Sequence, residues 1–508
     1  MLHEPQGQLR LILAPFDNSY RDQLTFASPQ KQEEYFTSIT RINLDPDKYS
    51  FIRKDKTVRV AMNADELRSM NYLMYRNQNF TDWWIYAFID KIEWQSDNSS
   101  VIHYSTDVWQ TWQWAATIRD SFVVREHVTD DSIGANTVDE GLELGEYVIN
   151  AEQEVGLSDC SIVVMSTVRK NTQGNYAQAA GVIINGTYSG ASLRSFPATL
   201  DGRTALEGYL SELVNDQKAD SVVSIYMVPT KMLGQTSGEV YNGKTEFLQT
   251  PRPTNVNGHI PRNNKLLTDP YCFAYVHNNN GGSASYAYEN FSDGIRWQVK
   301  GDIYPSGTFK IVPRGYNGVT DDYDSALSLS GFPLCAWTND SYQAYIAQQK
   351  GNLAISGVGQ AVNIGASLAM GNPMGVVGGI LGATQSVMAV KQAQKQPPQA
   401  RGSAGSGSAN MAFGKNDFFI QRKSIRKEYA QIIDEYFDMF GYKVNRVKRP
   451  NLRTRKLWNY VQVNDLSVFG SVPHEDLQKF KRIFQEGIRL WHEPMYIYQY
   501  DRDNSVRT

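Results

Sequence analysis

The chain has 508 residues, 41% hydrophobic and 20% charged, with a formal net charge of −3. That length allows two to four domains with real cores, and the near-neutral balance excludes a protein that coats nucleic acid or adheres to anionic lipid by bulk attraction. Three widely spaced cysteines, Cys160, Cys272 and Cys335, form neither a disulfide framework nor a zinc pattern, and Met1-Leu2-His3-Glu4-Pro5 lacks the basic and apolar regions of a secretory signal, so a reducing cytoplasm is the expected place of folding.

Residues 1–150 read as strands with one helix. Leu9 to Ala14 is an apolar run closed by Pro15-Phe16-Asp17-Asn18. Asn63-Ala64-Asp65-Glu66 resembles a capping box and predicts a helix running to about Asn77. Trp83 to Gln95, a polar turn at 96–100 and Val101 to Trp109 predict a hairpin. Its aromatics (Trp83, Trp84, Tyr86, Phe88, Trp94 and Trp109, with Trp112 and Trp114 beyond) have faces that stack on bases or sugars, but aromatic side chains of this size usually fill cores and subunit contacts, and that is the expectation here.

From 151 to about 345 the composition shifts to Gly, Ser and Asn around short apolar runs, Cys160 to Met165, Gly181 to Ile184 and Ser221 to Pro229, with turns every ten or so residues. This pattern predicts an inserted β-rich domain. Within it, Gly238 to Thr245 fits the phosphate-cradling P-loop letter for letter. That motif needs a strand before it and a helix after it. Neither flank qualifies, and Asn242-Gly243 predicts a two-residue hairpin turn between Val240-Tyr241 and Lys244-Thr245 instead. The seven histidines (His3, His103, His127, His259, His277, His474, His492) show no paired metal-ligand spacing, no nucleophile elbow accompanies them, and Asp321, Asp322 and Asp324 read as a solvated loop. No catalytic residue, metal ligand or cofactor is expected.

Between Lys350 and Lys391 there is no Asp, Glu, Lys, Arg or His, in a chain where one residue in five is charged. Gly371-Asn372-Pro373 divides this run into two arms, each of which as a helix would reach roughly 26 Å, just short of the ~30 Å hydrocarbon core. The first arm carries Leu353, Ile355, Val358, Val362, Ile364, Leu368 and Met370, with Ser356, Gln360, Asn363 and Ser367 on one helical stripe. The second carries Met374, Val376, Val377, Ile380, Leu381, Val387, Met388 and Val390, with Gly375, Gly378, Gly382 and Ser386 as a small-residue surface that lets helices approach closely in lipid. A membrane-active hairpin, a buried core hairpin and a Gly/Ala-rich loop are all compatible with the segment alone. Residues 391–415, with Pro397-Pro398 and a Gly/Ser run, have the composition of a flexible tether.

Beyond the tether, Ile425, Tyr429, Ile432, Ile433, Tyr436, Phe437 and Phe440 recur at helical spacing, and Gly441 stands at a C-cap. Two strand-like runs, 442–449 and 452–463, flank Pro450-Asn451 and carry the basic cluster Lys443, Arg446, Lys448, Arg449, Arg453, Arg455 and Lys456. Phosphate contact is one reading of this cluster; a solvated hairpin or a salt-bridged subunit seam is the plainer one. A helix over His474–Glu486, closed by Gly487, leads into Ile488-Arg489-Leu490-Trp491-His492.

Several stretches together carry a resemblance: FDMFGYKVNRVKRPNLRTRKLWNYVQ at 437–462, FQEGIRLWH at 484–492, MNYLMYRNQNFTDWWIYAFIDKIEW at 70–94, DVWQTW at 107–112 and FVVREHV at 122–128. They resemble the tail knob, or distal tail-tube, proteins of small short-tailed phages of Gram-positive bacteria, the picovirus type. The resemblance implies an α+β, predominantly β fold, with β-barrel or sandwich tube modules formed by 1–150 and 416–508. It further implies an inserted β-rich knob domain at 151–345, a long hydrophobic loop with its tether at 346–415, and a ring-shaped homohexamer. The implied partners are an upper collar or connector, other tail proteins, double-stranded DNA passing through the lumen, and the host cytoplasmic membrane, which the loop penetrates after plugging the tube. Assembly in the host cytoplasm and residence in the distal tail of the virion follow from the same likeness. Two other readings stand beside it: an adsorption module whose 151–345 domain binds cell-wall polymer without membrane activity, and a wall-degrading enzyme, for which no carboxylate pair or metal site is visible.

Overall fold

Leu9 and Leu11 point to one side of the strand Gly7–Ile12 while Gln8 and Arg10 point to the other, the period-two alternation that gives a sheet one buried face. A computed structural model describes residues 7–504 apart from 53–54, 78–82, 179–182, 185–186, 189, 198, 236, 241–242, 306, 317–326, 330–333 and 336–415. The chain divides into two units: Met1–Gly145 with Gly258–Leu267 and Lys427–Thr508, and Glu146–Asn257 with Thr268–Arg426.

In the first unit a seven-stranded antiparallel sheet runs in the order Thr40–Leu44, Gly7–Ile12, Tyr72–Asn77, Ile85–Ser96, Ser99–Thr106, Thr57–Val60, Tyr49–Ile52. Leu9, Leu11, Val58, Val60, Leu73, Ala87 and Ile102 form one core. A second, aromatic core joins Phe16, Phe36, Tyr72 and Phe88, with ring centroids 5.1–6.2 Å apart. Phe36 comes from the helix Pro29–Ser38, which Ser28 caps by accepting the Lys31 N–H. Each such fully buried ring contributes roughly 1.5–3 kcal/mol.

A five-stranded sheet in the same unit runs Asp22–Leu24, Ile488–Trp491, Trp458–Asp465, Ser121–Glu126, Tyr442–Lys448, parallel only at its first pair. The helix His474–Glu486 sets Phe480 and Phe484 against Trp109 at 5.9 and 5.8 Å, and Gly487, at φ +91°, ends it.

Among the described residues, the second unit contains three larger sheets. One runs Gly238–Val240, Ser192–Pro197, Cys160–Ser166, Val222–Pro229, Leu334–Cys335, and the helix Leu200–Asn215 packs Leu206, Leu210 and Leu213 on Ile162, Val164 and Ile225. Another runs Tyr147–Glu154, Phe419–Ile425, Cys272–His277, Ser283–Tyr286, and the third Glu246–Thr250, Phe291–Gly301, Phe309–Tyr316, Leu327–Leu329.

Several expectations hold. The hairpin is Ile85–Ser96 with Ser99–Thr106, the helices Lys427–Phe440 and His474–Glu486 end at left-handed Gly441 and Gly487, and Cys160–Ser166 and Val222–Pro229 are strands.

Others are corrected. The helix expected to reach Asn77 stops at Leu67, and Tyr72–Asn77 is an interior strand, because Tyr72 and Leu73 are buried on opposite faces and only an extended chain serves both cores. Asn63 does cap that single turn, accepting the Asp65 N–H at 2.9 Å. The helices Pro29–Ser38, Val108–Trp112 and Leu200–Asn215 were not expected. The two basic runs are not each other's partners, since Ser121–Glu126 lies between Tyr442–Lys448 and Trp458–Asp465. Ile432 is exposed, and the inner face of its helix holds Asp434 and Asp438 beside Ile433 and Phe437. Tyr241 and Asn242, and with them the hairpin turn expected there, lie outside the described residues; on either side, Val240 pairs with Leu193 and Lys244 donates its N–H to Met232. Of the aromatics expected in cores and subunit contacts, Trp84, Tyr86, Phe88, Trp109 and Trp112 are buried within the chain, and Trp83, Trp94 and Trp114 are exposed on it.

Candidate functional site

All the apolar positions singled out between Leu353 and Val390, and the turn Gly371-Asn372-Pro373, lie outside the described residues, as does the tether. What the structure places is the two roots of this segment, both in the second unit. They are unequal. On the exit side, Leu334–Cys335 forms a two-residue ladder with Tyr226 and Ile225 at the edge of its sheet. On the return side, Phe419–Ile425 is a seven-residue strand bonded on both flanks, to Tyr147–Glu154 and to Cys272–His277. Each ladder bond contributes roughly 0.5–1.5 kcal/mol net, so among the described residues the return root carries the larger share of the backbone pairing.

Asn416, Asp417 and Phe418, which precede that strand, are fully buried. The Asp417 carboxylate accepts the N–H groups of Gly156 and Phe418, each at 2.7 Å, and that of Leu157. Gly156 takes φ +88°, a conformation that suits glycine at this turn. The Val155 N–H donates to the Phe418 carbonyl at 3.1 Å, and Lys231 Nζ donates to the Val155 carbonyl at 2.7 Å. Burial outweighs these donors and pushes the Asp417 carboxyl up to about 6. The Asn416 side-chain amide has no hydrogen-bond partner among the described residues.

The basic cluster of 443–456 is divided between residues engaged within the fold and residues left exposed. Arg455 is buried, donates to the Asp438 carbonyl at 2.9 Å and lies over Trp458. Lys448 pairs with the buried Glu126 carboxylate, and Arg453 donates to the Phe26 carbonyl. Arg446, Arg449 and Lys456 are exposed. His127 accepts the Tyr460 N–H on Nδ1 at 2.7 Å, and its Nε2 lies 3.0 Å from the Asp438 carbonyl, where it donates. Burial, reinforced by the nearby Arg455, drives its pKa well below the usual histidine value. Among the described residues no group of three or more His, Cys, Asp or Glu side chains is placed to hold a metal ion, and no helix is long and apolar enough to cross a membrane. The P-loop-like stretch begins as the strand Gly238–Val240 and is followed by the strand Glu246–Thr250, and among its described residues there is no helix terminus to receive an anion. Asp321, Asp322 and Asp324 lie outside the described residues.

A staple in the first unit went unread in the sequence. Asp434, on the inner face of Lys427–Phe440, accepts from His259 Nε2 at 2.8 Å, the Arg262 N–H at 2.9 Å, the Asn263 N–H at 3.1 Å and Asn263 Nδ2 at 2.8 Å. Asp438 pairs with Arg262 at 2.5 Å and Arg455 at 3.4 Å, and Lys265 pairs with Glu140, which also takes Arg125. Together these groups fasten residues 258–267. The signal was two carboxylates four apart on the apolar face of an amphipathic helix, where only a partnered charge survives.

Comparison with known proteins agrees with this architecture. Residues 237–505 match the family of the C-terminal domain of tail knob protein gp9 of Bacillus phage phi29, and residues 11–117 match the N-terminus of the caudoviral major tail proteins. The chain is similar to tail knob protein gp9 of Bacillus phage phi29, at 26% identity over 97% of each chain, and to that of Bacillus phage B103, at 27% over 97% of each. Its fold matches the tail knob protein gp12 of bacteriophage C1 with a TM-score of 0.64 over 99% of this chain and 100% of that one, at 15% identity.

Proposed function

This chain belongs to the phage tail knob family typified by gp9 of Bacillus phage phi29, and we propose from that premise that six copies form a channel through which double-stranded DNA leaves the capsid. It is a structural protein of the distal tail of a short-tailed virion. The ring assembles in the host cytoplasm, joins an upper collar or connector and other tail proteins, and stows the uncharged segments in its lumen until delivery. The segments then enter the host cytoplasmic membrane.

The observation that carries this reading is the uncharged run between Lys350 and Lys391, returned to the fold through a strand bonded on both sides. Apolar arms of this length left in water would be an aggregation hazard, and two arms of roughly 26 Å can just cross a ~30 Å core. Because residues 351–390 have no titratable side chain, any response to acid resides in the groups that hold them.

Replacing Val362 and Ile380 by Asp puts a charge in each arm, at about 3 kcal/mol per buried Asp in a bilayer. The variant assembles, and dye leakage from liposomes is lost; leakage equal to the parent's removes the membrane role. Electron microscopy of the purified protein tests the conduit, for which a six-membered ring with a hollow axis is expected and a monomer or a solid particle is refuting.

A further inference from the structure

A groove of about 300 Å³ opens in the first unit between the start of the helix Pro29–Ser38, the residues leading into the strand Ile85–Ser96 and the turn after Val108–Trp112. That volume is the lower end of the range of small-molecule clefts. Its walls are Trp83, 48% exposed, and Trp114, 37% exposed, although most indoles of this chain are buried. Both are held rather than loose. Trp83 rests edge-on against Trp112 with centroids 6.3 Å apart, and Trp114 Nε1 donates to Gln32 Oε1 at 2.7 Å while Gln32 Nε2 donates to the Gln110 carbonyl and side chain, each at 2.8 Å. The buried Trp84 in the wall has an indole N–H without a partner among the described residues. At the rim, the Gln30 amide and the Glu33 carboxylate make no hydrogen bond or ion pair among the described residues.

We infer that this groove binds one or two neutral sugar rings of a surface glycan. A pyranose presents apolar C–H faces and a rim of hydroxyls, and here two fixed indoles meet the faces while an amide and a carboxylate meet the rim. The lining has one carboxylate and no Lys or Arg of its own, although Arg453 lies 5.7 Å over the Trp114 ring and Arg10 and Arg76 each lie 4.8 Å over the Trp84 ring; a rim carboxylate disfavours phosphate and nucleic-acid strands. Walls pinned before the ligand arrives reduce the ordering cost of binding. The inference is independent of any membrane role for residues 351–390.

The test is tryptophan-fluorescence titration of the assembled full-length protein with glucose, galactose, N-acetylglucosamine and its β-1,4-linked disaccharide, confirmed by saturation-transfer NMR. At least one sugar binds, Trp83→Ala and Trp114→Ala each weaken it tenfold or more, and Glu33→Gln weakens it severalfold. Trp94→Ala, at an exposed indole outside the groove, leaves binding unchanged. The inference is overturned if no sugar in the panel binds, or if the groove variants bind as the Trp94 variant does. It is equally overturned if Trp83→Ala and Trp114→Ala change the assembly's mass by light scattering while sugars do not bind, which would make the groove a contact between copies.

Discussion

Asp417 offers the sharpest measurement, because its carboxyl is fully buried at the return root of the uncharged segment and is displaced from 3.8 to about 6. A group whose folded pKa is raised binds its proton more tightly in the fold. Its stabilising contribution is complete below the unfolded value and is lost as pH rises through about 6. A displacement of about two units corresponds to about 3 kcal/mol. Acid therefore tightens this root, and a device that frees the segment in acid would need a different group. His492, lowered to about 4 by burial, works in the opposite direction: its contribution is present above the usual histidine value and is lost as pH falls toward about 4. Global unfolding mixes the two, so the readout must be local. Hydrogen exchange of the amides of Gly156, Leu157 and Phe418 reports on the root itself, because all three donate to Asp417. Between about pH 4 and about pH 7.5, the opening free energy of these amides, corrected for intrinsic exchange, falls by about 2.5 kcal/mol in the parent. It stays level in Asp417→Asn, which keeps the volume and one acceptor oxygen but cannot ionise. Parallel pH profiles for the two proteins would refute the reasoning.

Three further outcomes can be checked directly. Asp434→Ala strands the donors of His259, Arg262 and Asn263, and is expected to cost about 3–5 kcal/mol in urea unfolding; a loss below about 1 kcal/mol would mean that the staple is ornamental. Limited proteolysis of the same variant is expected to show new cleavage within 258–267. Gly441→Ala places a Cβ 2.2 Å from the Glu126 carbonyl oxygen at φ +64°, a contact with backbone that cannot swing away, so a loss of at least about 2 kcal/mol is expected.

Local signals were legible where the structure depends on local causes. The helix His474–Glu486 and its Gly487 stop could be read because the apolar spacing and the left-handed glycine lie within one stretch. The helix Pro29–Ser38 was missed because only Gln32 and Phe36 of its ten residues are buried, which leaves no periodic stripe. Leu200–Asn215 carries Leu206, Leu210 and Leu213 at helical spacing behind a Thr199 cap, a local signal that the turn-rich composition around it obscures. The insertion of Ser121–Glu126 between two C-terminal strands depends on a pairing more than 300 residues apart, which no window of sequence displays. For the candidate site the contrast is similar. The uncharged segment is a matter of composition and stands out at once, whereas Asn416-Asp417 looks like the polar end of a tether and becomes an anchor only when Val155, Gly156 and Leu157 close over it.

The placement of Ser121–Glu126 has a consequence for biosynthesis. Its two neighbours, Tyr442–Lys448 and Trp458–Asp465, leave the ribosome more than 300 residues later, an interval on the order of tens of seconds at about 5–20 residues per second. Residues 351–390 are made within that interval. The nascent chain thus exposes its most water-averse stretch while its first-made unit still lacks the strands that complete its second sheet, a window in which a ribosome-associated chaperone has something to shield.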